Sequence, residues 1–98
     1  MKPVDVFIDE EQLKEYTKWW QDKLFLNDWI IKSMICEPTD FEVENRCGEN
    51  VLDIENRCSI IRILDQKYYG DRIEKYCAEK ILVHELLHCK YNWIEFDN

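Results

Sequence analysis

Apolar residues recur at helical spacing near the start of the chain, three or four positions apart. This apolar side consists of Leu13, Tyr16, Trp20 and Leu24. Asp9, with Gln12 three residues later, has the pattern of a capping box, which marks the beginning of a helix. The pattern predicts a first helix over 9–26 that ends at Asn27.

The middle of the chain contains short segments rich in β-branched and aromatic residues, which are typical of strands. They predict strands over 29–35, 51–55 and 57–64. The segment around Pro38 interrupts the apolar pattern, and Cys47-Gly48-Glu49-Asn50 has the composition of a turn. The last of the three strands has apolar residues on both faces, so we expect a helix to cover one of them.

A long apolar segment follows and predicts a second helix over 71–93. One side of it consists of Ala78, Leu82, Leu86, Cys89 and Trp93. Val83 and Leu87 extend the apolar surface, and a helix that is apolar on most sides is buried. The order of elements predicts the α+β class, with both helices packed on one small antiparallel sheet of two or three strands.

Length and charge narrow the expectations further. Ninety-eight residues predict a single domain, 1–98. A net charge of −8 disfavours direct binding of nucleic acid and favours a protein or peptide partner with a basic surface. No apolar run has the length of a signal peptide or a membrane span, so we expect a cytoplasmic protein without a membrane partner. The five cysteines form no C-x-x-C pair, which favours reduced thiols.

The second predicted helix contains the sequence His84-Glu85-Leu86-Leu87-His88, an H-E-x-x-H motif. Residues four apart on a helix project from the same face, so His84 and His88 can bind one zinc ion. In this motif the glutamate is not a ligand: Glu85 accepts the proton of the metal-bound water. The motif therefore predicts a zinc site with Glu85 as the catalytic base.

A catalytic zinc ion usually has three protein ligands, and the motif supplies two. Glu95 is on the same helical stripe as His88, but on a continuous helix it would lie about 10 Å further along the axis. It can bind the ion only if the helix ends near Asn92 and the chain turns back. The other candidates are Asp97, the thiol of Cys58 or a residue of the 40–50 segment, a partner chain, and water. Cys77 lies about as far from the histidines as Glu95, in the other direction, and a motif that binds no metal is the last alternative.

Two further predictions concern the substrate. Tyr91 shares the stripe of the two histidines and is a candidate for stabilising an oxyanion. The 57–64 strand, with Ile61 and Ile63, is expected to bind an extended peptide by strand addition.

Three segments together give the chain a resemblance to small zincin-type proteins of phages and prophages. They are Asp28-Trp29-Ile30-Ile31, Cys58-Ser59-Ile60-Ile61-Arg62-Ile63-Leu64 and Leu82-Val83-His84-Glu85-Leu86-Leu87-His88. The resemblance covers roughly 10–92 and extends more loosely to minimal gluzincins. It implies two histidine ligands, a glutamate base and zinc as cofactor. In those families a later helix brings the third ligand, and we expect this chain to lack that helix.

Two functions are consistent with these features. The first is a zinc-dependent metallopeptidase-like protein that hydrolyses a peptide bond with zinc-activated water. The second is a non-catalytic acidic interaction or counter-defence protein of a phage, on a zincin scaffold, that binds a basic protein surface. Its acidic face would consist of Asp40, Glu42, Glu44, Glu49 and Glu55. Both predict the cytoplasm of a bacterial host, and an apolar patch left by the missing helix would favour a homodimer.

Overall fold

The computed structural model describes residues 8–41, 46–69 and 78–91. Its elements are α1 (Glu10–Lys23), β1 (Ile30–Cys36), β2 (Gly48–Asp53), β3 (Cys58–Leu64) and α2 (Ala78–Tyr91). Short 3-10 helices lie at Pro38–Asp40 and Gln66–Tyr68. The fold is therefore α+β, with two helices and a three-stranded sheet in the described part of the chain.

The beginning of α1 is set by a complete capping box. The Asp9 carboxylate accepts from the backbone N–H of Gln12 at 2.8 Å, and the Gln12 side chain accepts from the backbone N–H of Asp9 at 3.2 Å. Two otherwise unsatisfied N–H groups of the first turn are thereby bonded. The helix buries Leu13 and Thr17 against the sheet.

The end of α1 comes earlier than the predicted 9–26, because the backbone reverses at Phe25. Phe25 has a φ of 59°, in the left-handed region. Its N–H donates to the Asp22 carbonyl at 3.2 Å, and the Leu26 N–H donates to the Gln21 carbonyl at 2.8 Å. This bonding is a Schellman motif, in which glycine usually occupies the left-handed position. The reversal returns Leu26 to the core.

The sheet is mixed, which corrects the expectation of an antiparallel sheet. The strand order is β1-β3-β2, with β1 parallel to β3 and β2 antiparallel to β3. Consecutive strands usually lie side by side, but here β3 lies between β1 and β2. The physical reason is that β3 has apolar residues on both faces, and the central position hydrogen-bonds both of its edges.

The boundaries of the middle strands also differ from the pattern. β2 begins at Gly48, inside the segment expected to be a turn, and ends at Asp53. The turn instead occupies 54–57, where the Asp53 carboxylate accepts from both the backbone and the side chain of Asn56. Arg57 completes it with a φ of 52°. The segments predicted over 29–35 and 57–64 correspond to Ile30–Cys36 and Cys58–Leu64.

Both helices pack on the same face of the sheet. Ser33, Ile61 and Asn50 form one cross-strand row through β1, β3 and β2. The Ser33 hydroxyl is hydrogen-bonded to Thr17 of α1, whereas the Asn50 side chain is hydrogen-bonded to the backbone of α2. The core lies between this face and the helices and contains Leu13, Leu26, Trp29, Ile61, Ile63, Ala78, Leu82, Leu86 and Cys89.

The second helix is described over Ala78–Tyr91. The remainder of the predicted 71–93, including Cys77, Asn92 and Trp93, lies outside the described residues. None of the helices in the described ranges is long and apolar enough to cross a membrane.

Candidate metal and catalytic site

The helix α2 presents two kinds of residue to the sheet. Leu82, Leu86 and Cys89 enter the core, as an apolar stripe of a helix does. Glu85 and His88 are also buried, with 4% and 7% of their surface exposed, whereas His84 is exposed. The motif therefore lies at the boundary between the core and the solvent, with one histidine on each side of that boundary.

The two histidine rings lie close together in an edge-to-face arrangement. Their centroids are 5.2 Å apart and their planes are inclined by 80°. Two imidazoles bound to one tetrahedral zinc ion, with Zn–N distances of about 2.1 Å, have centroids about 5 Å apart. The spacing of His84 and His88 thus fits two ligands of a single ion without a change in the helix.

Glu85 is pressed against the beginning of β2. A Cβ atom added to Gly48 would lie 2.9 Å from Glu85 Oε2 and 2.5 Å from Ile81 Cγ2, closer than such atoms approach in proteins. A side chain at this point would have to displace Ile81 or the carboxylate, and glycine avoids both contacts. Gly48 therefore determines how closely the acid of the motif approaches the strand. Glycine inside a strand often indicates such a close approach, and this was the available sequence signal.

A polar cluster joins α2 to the sheet beneath the motif. Asn50 donates through Nδ2 to the Glu85 carbonyl at 2.7 Å, and the same nitrogen lies 3.4 Å from Cys89 Sγ. The Ser59 hydroxyl donates to Asn50 Oδ1 at 2.6 Å. These bonds fix the turn of α2 that contains Glu85 relative to β2 and β3. The spacing of residues in the sequence gave no indication of this cluster.

Cys89 belongs to this cluster as a buried thiol. Burial raises the pKa of the Cys89 thiol above its ordinary value, because the thiolate would lose its hydration. Cys58, one of the alternative third ligands, is half-buried at the start of β3, on the face opposite the helices. The pairing register therefore separates Cys58 from the two histidines by the thickness of the sheet.

The predicted substrate residues fall in two places. Ile61 and Ile63 are completely buried in the core, and β3 has a strand on each side. A peptide cannot add to a strand whose two edges are already paired, so the strand-addition role expected for 57–64 does not fit β3. The outer edge of β2 is the edge nearest to Glu85 that pairs with no strand among the described residues. Tyr91 is exposed, one turn beyond His88, at the end of described α2.

The acidic face expected for a binding protein is interrupted. Glu49 is only 5% exposed and accepts from Arg62 at 2.7 Å, so it is part of a cross-strand ion pair. Asp40 is exposed but its carboxylate accepts from the backbone N–H of Glu37. Glu55 is exposed on the 54–57 turn, and Glu42 and Glu44 lie outside the described residues.

Two of the residues predicted as a third zinc ligand, Glu95 and Asp97, lie outside the described residues. Within 8–41, 46–69 and 78–91, no group of three or more His, Cys, Asp or Glu side chains is placed to hold a metal ion. Among the described residues, the predicted zinc ligands are therefore the two histidines alone.

Comparison of the chain with protein-family models, with curated proteins and with solved structures gave no match. The functional argument consequently depends on the motif and its geometry.

Proposed function

We propose that this chain is a zinc-dependent, metallopeptidase-like domain of minimal zincin type. The observation that carries the proposal is the arrangement around one turn of α2. The rings of His84 and His88 lie 5.2 Å apart, and Glu85 is buried beside them against Gly48. Burying a glutamate and a histidine in an apolar helix is costly, and a metal site is a physical reason for keeping them.

In this proposal His84 and His88 would hold the ion through neutral imidazole nitrogens. Zinc bound there would supply Lewis-acid chemistry, lowering the pKa of water and polarising the carbonyl of a peptide bond. Glu85 would accept the proton of the attacking water and deliver it to the leaving amine. Asn50 bonds the backbone carbonyl of Glu85, and Gly48 leaves space for its carboxylate near the beginning of β2, so both would help to position this residue.

The substrate of the proposed enzyme is an extended peptide. The outer edge of β2 runs past Glu85 and offers backbone N–H and C=O groups to such a peptide. Tyr91 is the candidate for contacting the reacting carbonyl, and Glu95 remains the candidate third ligand. The proposed location is the cytoplasm of a bacterial host of a phage.

Zinc binding is tested first, without reference to activity. Protein purified without added metal should contain about one zinc per chain, and added zinc should raise its melting temperature by mass action. His84→Ala should abolish both effects, and its fold should survive because His84 is exposed. Failure of wild-type protein to bind zinc would refute the proposed metal site.

Catalysis is tested with Glu85→Gln, which keeps the shape of the side chain and removes the base. Hydrolysis of an unfolded protein substrate should fall by at least about a hundredfold, with zinc content unchanged. Glu79→Gln is the matched control, because Glu79 is on the same helix and its carboxylate accepts from Trp20 Nε1, away from the histidines of the motif. If Glu85→Gln retains full biological activity, the non-catalytic acidic binding protein becomes the better hypothesis.

A further inference from the structure

A second groove lies at the other edge of the sheet. It runs between α1 and the outer edge of β1 and has a volume of about 490 Å³. Thr17 and Ser33 line it, and their hydroxyl groups are 2.7 Å apart. It shares no lining residue with the zinc motif, so its function is independent of the proposed peptidase.

The outer edge of β1 has backbone groups directed into this groove. The Ile30 N–H donates to the Arg57 carbonyl, toward β3. Since successive residues of a strand direct their backbone groups to opposite sides, those of Ile31 and Ser33 point away from β3. No strand among the described residues pairs with this edge.

Two side chains of α1 already bond to the backbone along this edge. The Gln21 side chain donates through Nε2 to the Trp29 carbonyl at 2.7 Å. The Ile35 N–H, next in the outward series after Ser33, donates to the Glu10 carboxylate at 2.8 Å. A carboxylate from α1 thus occupies the position that a carbonyl of an added strand would take. The rest of the edge, at Ile31 and Ser33, has the same direction and opens onto the groove.

The groove is basic although the chain has a net charge of −8. Lys14 and Lys18 line it from α1, and Lys32 lines it from β1. All three lysines are exposed, and Glu10 is the one acidic residue among the lining residues. Lys32 alternates with Ser33, so its side chain is on the opposite face of the sheet from α1. A strand added here would meet positive charge on both of its faces.

We propose that this groove binds an extended acidic segment of another protein as an additional strand beside β1. Backbone bonds to Ile31 and Ser33 would supply affinity, and the three lysines would select acidic side chains. A second copy of this chain fits less well, because pairing two β1 edges would bring two sets of these lysines together.

The probe is a short acetylated peptide, Glu-Val-Glu-Glu-Val-Glu, and its counterpart with lysine in place of each glutamate. Binding is followed by NMR on the full chain, with amide hydrogen exchange as the second readout. We expect the acidic peptide to bind and to slow hydrogen exchange at the amides of Ile31 and Ser33. Added salt should weaken this binding. The lysine peptide should not bind.

The role of the lysines is tested with the double variant Lys14→Glu/Lys18→Glu. This variant should bind the acidic peptide with an affinity lower by about tenfold or more. The matched control is Lys23→Glu/Lys80→Glu, which changes the net charge equally at exposed lysines outside the groove. Equal weakening by both double variants, binding without slower exchange at Ile31 and Ser33, or no binding would each overturn the proposal. Self-association that protects the same amides would overturn it too, in favour of a dimer.

Discussion

The two helices each have 14 described residues, but they differ in the kinds of side chain that they bury. In α1, two residues are buried, and its charged side chains lie in water. In α2, six residues are buried, and two of them are Glu85 and His88. The comparison teaches that α1 stabilises the fold by ordinary amphipathic packing, whereas α2 buries ionisable groups that packing alone would exclude.

Both helices are hydrogen-bonded to the sheet, α1 through Thr17 to Ser33 and through Glu10 to Ile35, but they differ in the local contacts that fix one turn. The capping box of α1 is made by residues of its own first turn. The turn of α2 that contains Glu85 is held by Gly48, Asn50 and Ser59, all of which belong to the sheet. With the proposed zinc site, variants in β2 should affect zinc binding and variants at the α1 cap should not.

The largest expected effect is in the core beneath α2. Leu86 is completely buried, so Leu86→Ala should lower the free energy of unfolding by about 2–5 kcal/mol. Leu87→Ala is the control on the same helix. Because Leu87 is only half-buried, this substitution should lower the free energy of unfolding by less. Urea unfolding measures both. Equal losses of unfolding free energy in the two variants would mean that α2 does not pack on the sheet through Leu86.

The next effect concerns the contact between Gly48 and α2. Gly48→Ala should lower the free energy of unfolding by about 1–3 kcal/mol, because the new methyl group would overlap Ile81 Cγ2. It should also weaken zinc binding by displacing the turn of Glu85. In an Ile81→Ala background the same substitution should lower the free energy of unfolding by less, because the shorter side chain leaves space for the methyl group. A Gly48→Ala protein with unchanged stability would argue against the close approach.

The polar cluster should have a somewhat smaller effect. Asn50→Ala removes the bond to the Glu85 carbonyl and deprives the Ser59 hydroxyl of its acceptor, which should cost about 1–2 kcal/mol. Zinc affinity should fall at the same time. The control is Asn56→Ala on the exposed turn, expected to be within about 0.5 kcal/mol of wild type. If both variants lose the same stability, the cluster does not fix α2.

The smallest effect is expected at the start of α1. Asp9→Ala breaks the capping box and should lower the free energy of unfolding by about 1 kcal/mol, while zinc affinity stays unchanged. Asp22→Ala, near the other end of α1, is the control and should change stability by less than about 0.5 kcal/mol. Weaker zinc binding in Asp9→Ala protein would contradict the expectation that the α1 cap has no influence on the proposed zinc site of α2.

Local patterns predicted some of these features well. The α+β class follows from the order of helical and strand-like segments, and the structure has two helices and a sheet. The capping box of Asp9 and Gln12 was visible because both partners are three residues apart. By contrast, the end of α1 was predicted too late, since Phe25 gives no sign of the left-handed conformation that it adopts.

The relation between the strands could not be predicted in the same way. The sequence places His84 and His88 one helical turn apart and Glu85 beside them, because helical periodicity is a property of neighbouring residues. Only the tertiary structure placed β3 in the centre, gave the sheet its parallel pair, and brought Gly48 and Asn50 to Glu85. The contacts of Gly48 and Asn50 with Glu85 join residues 35 or more positions apart, and the parallel pairing of β1 with β3 joins residues 28 positions apart, so both depend on packing of the whole chain. For the same reason Ile61 and Ile63 are core residues, and β1 and β2 are the outer strands of the sheet in the described part of the chain.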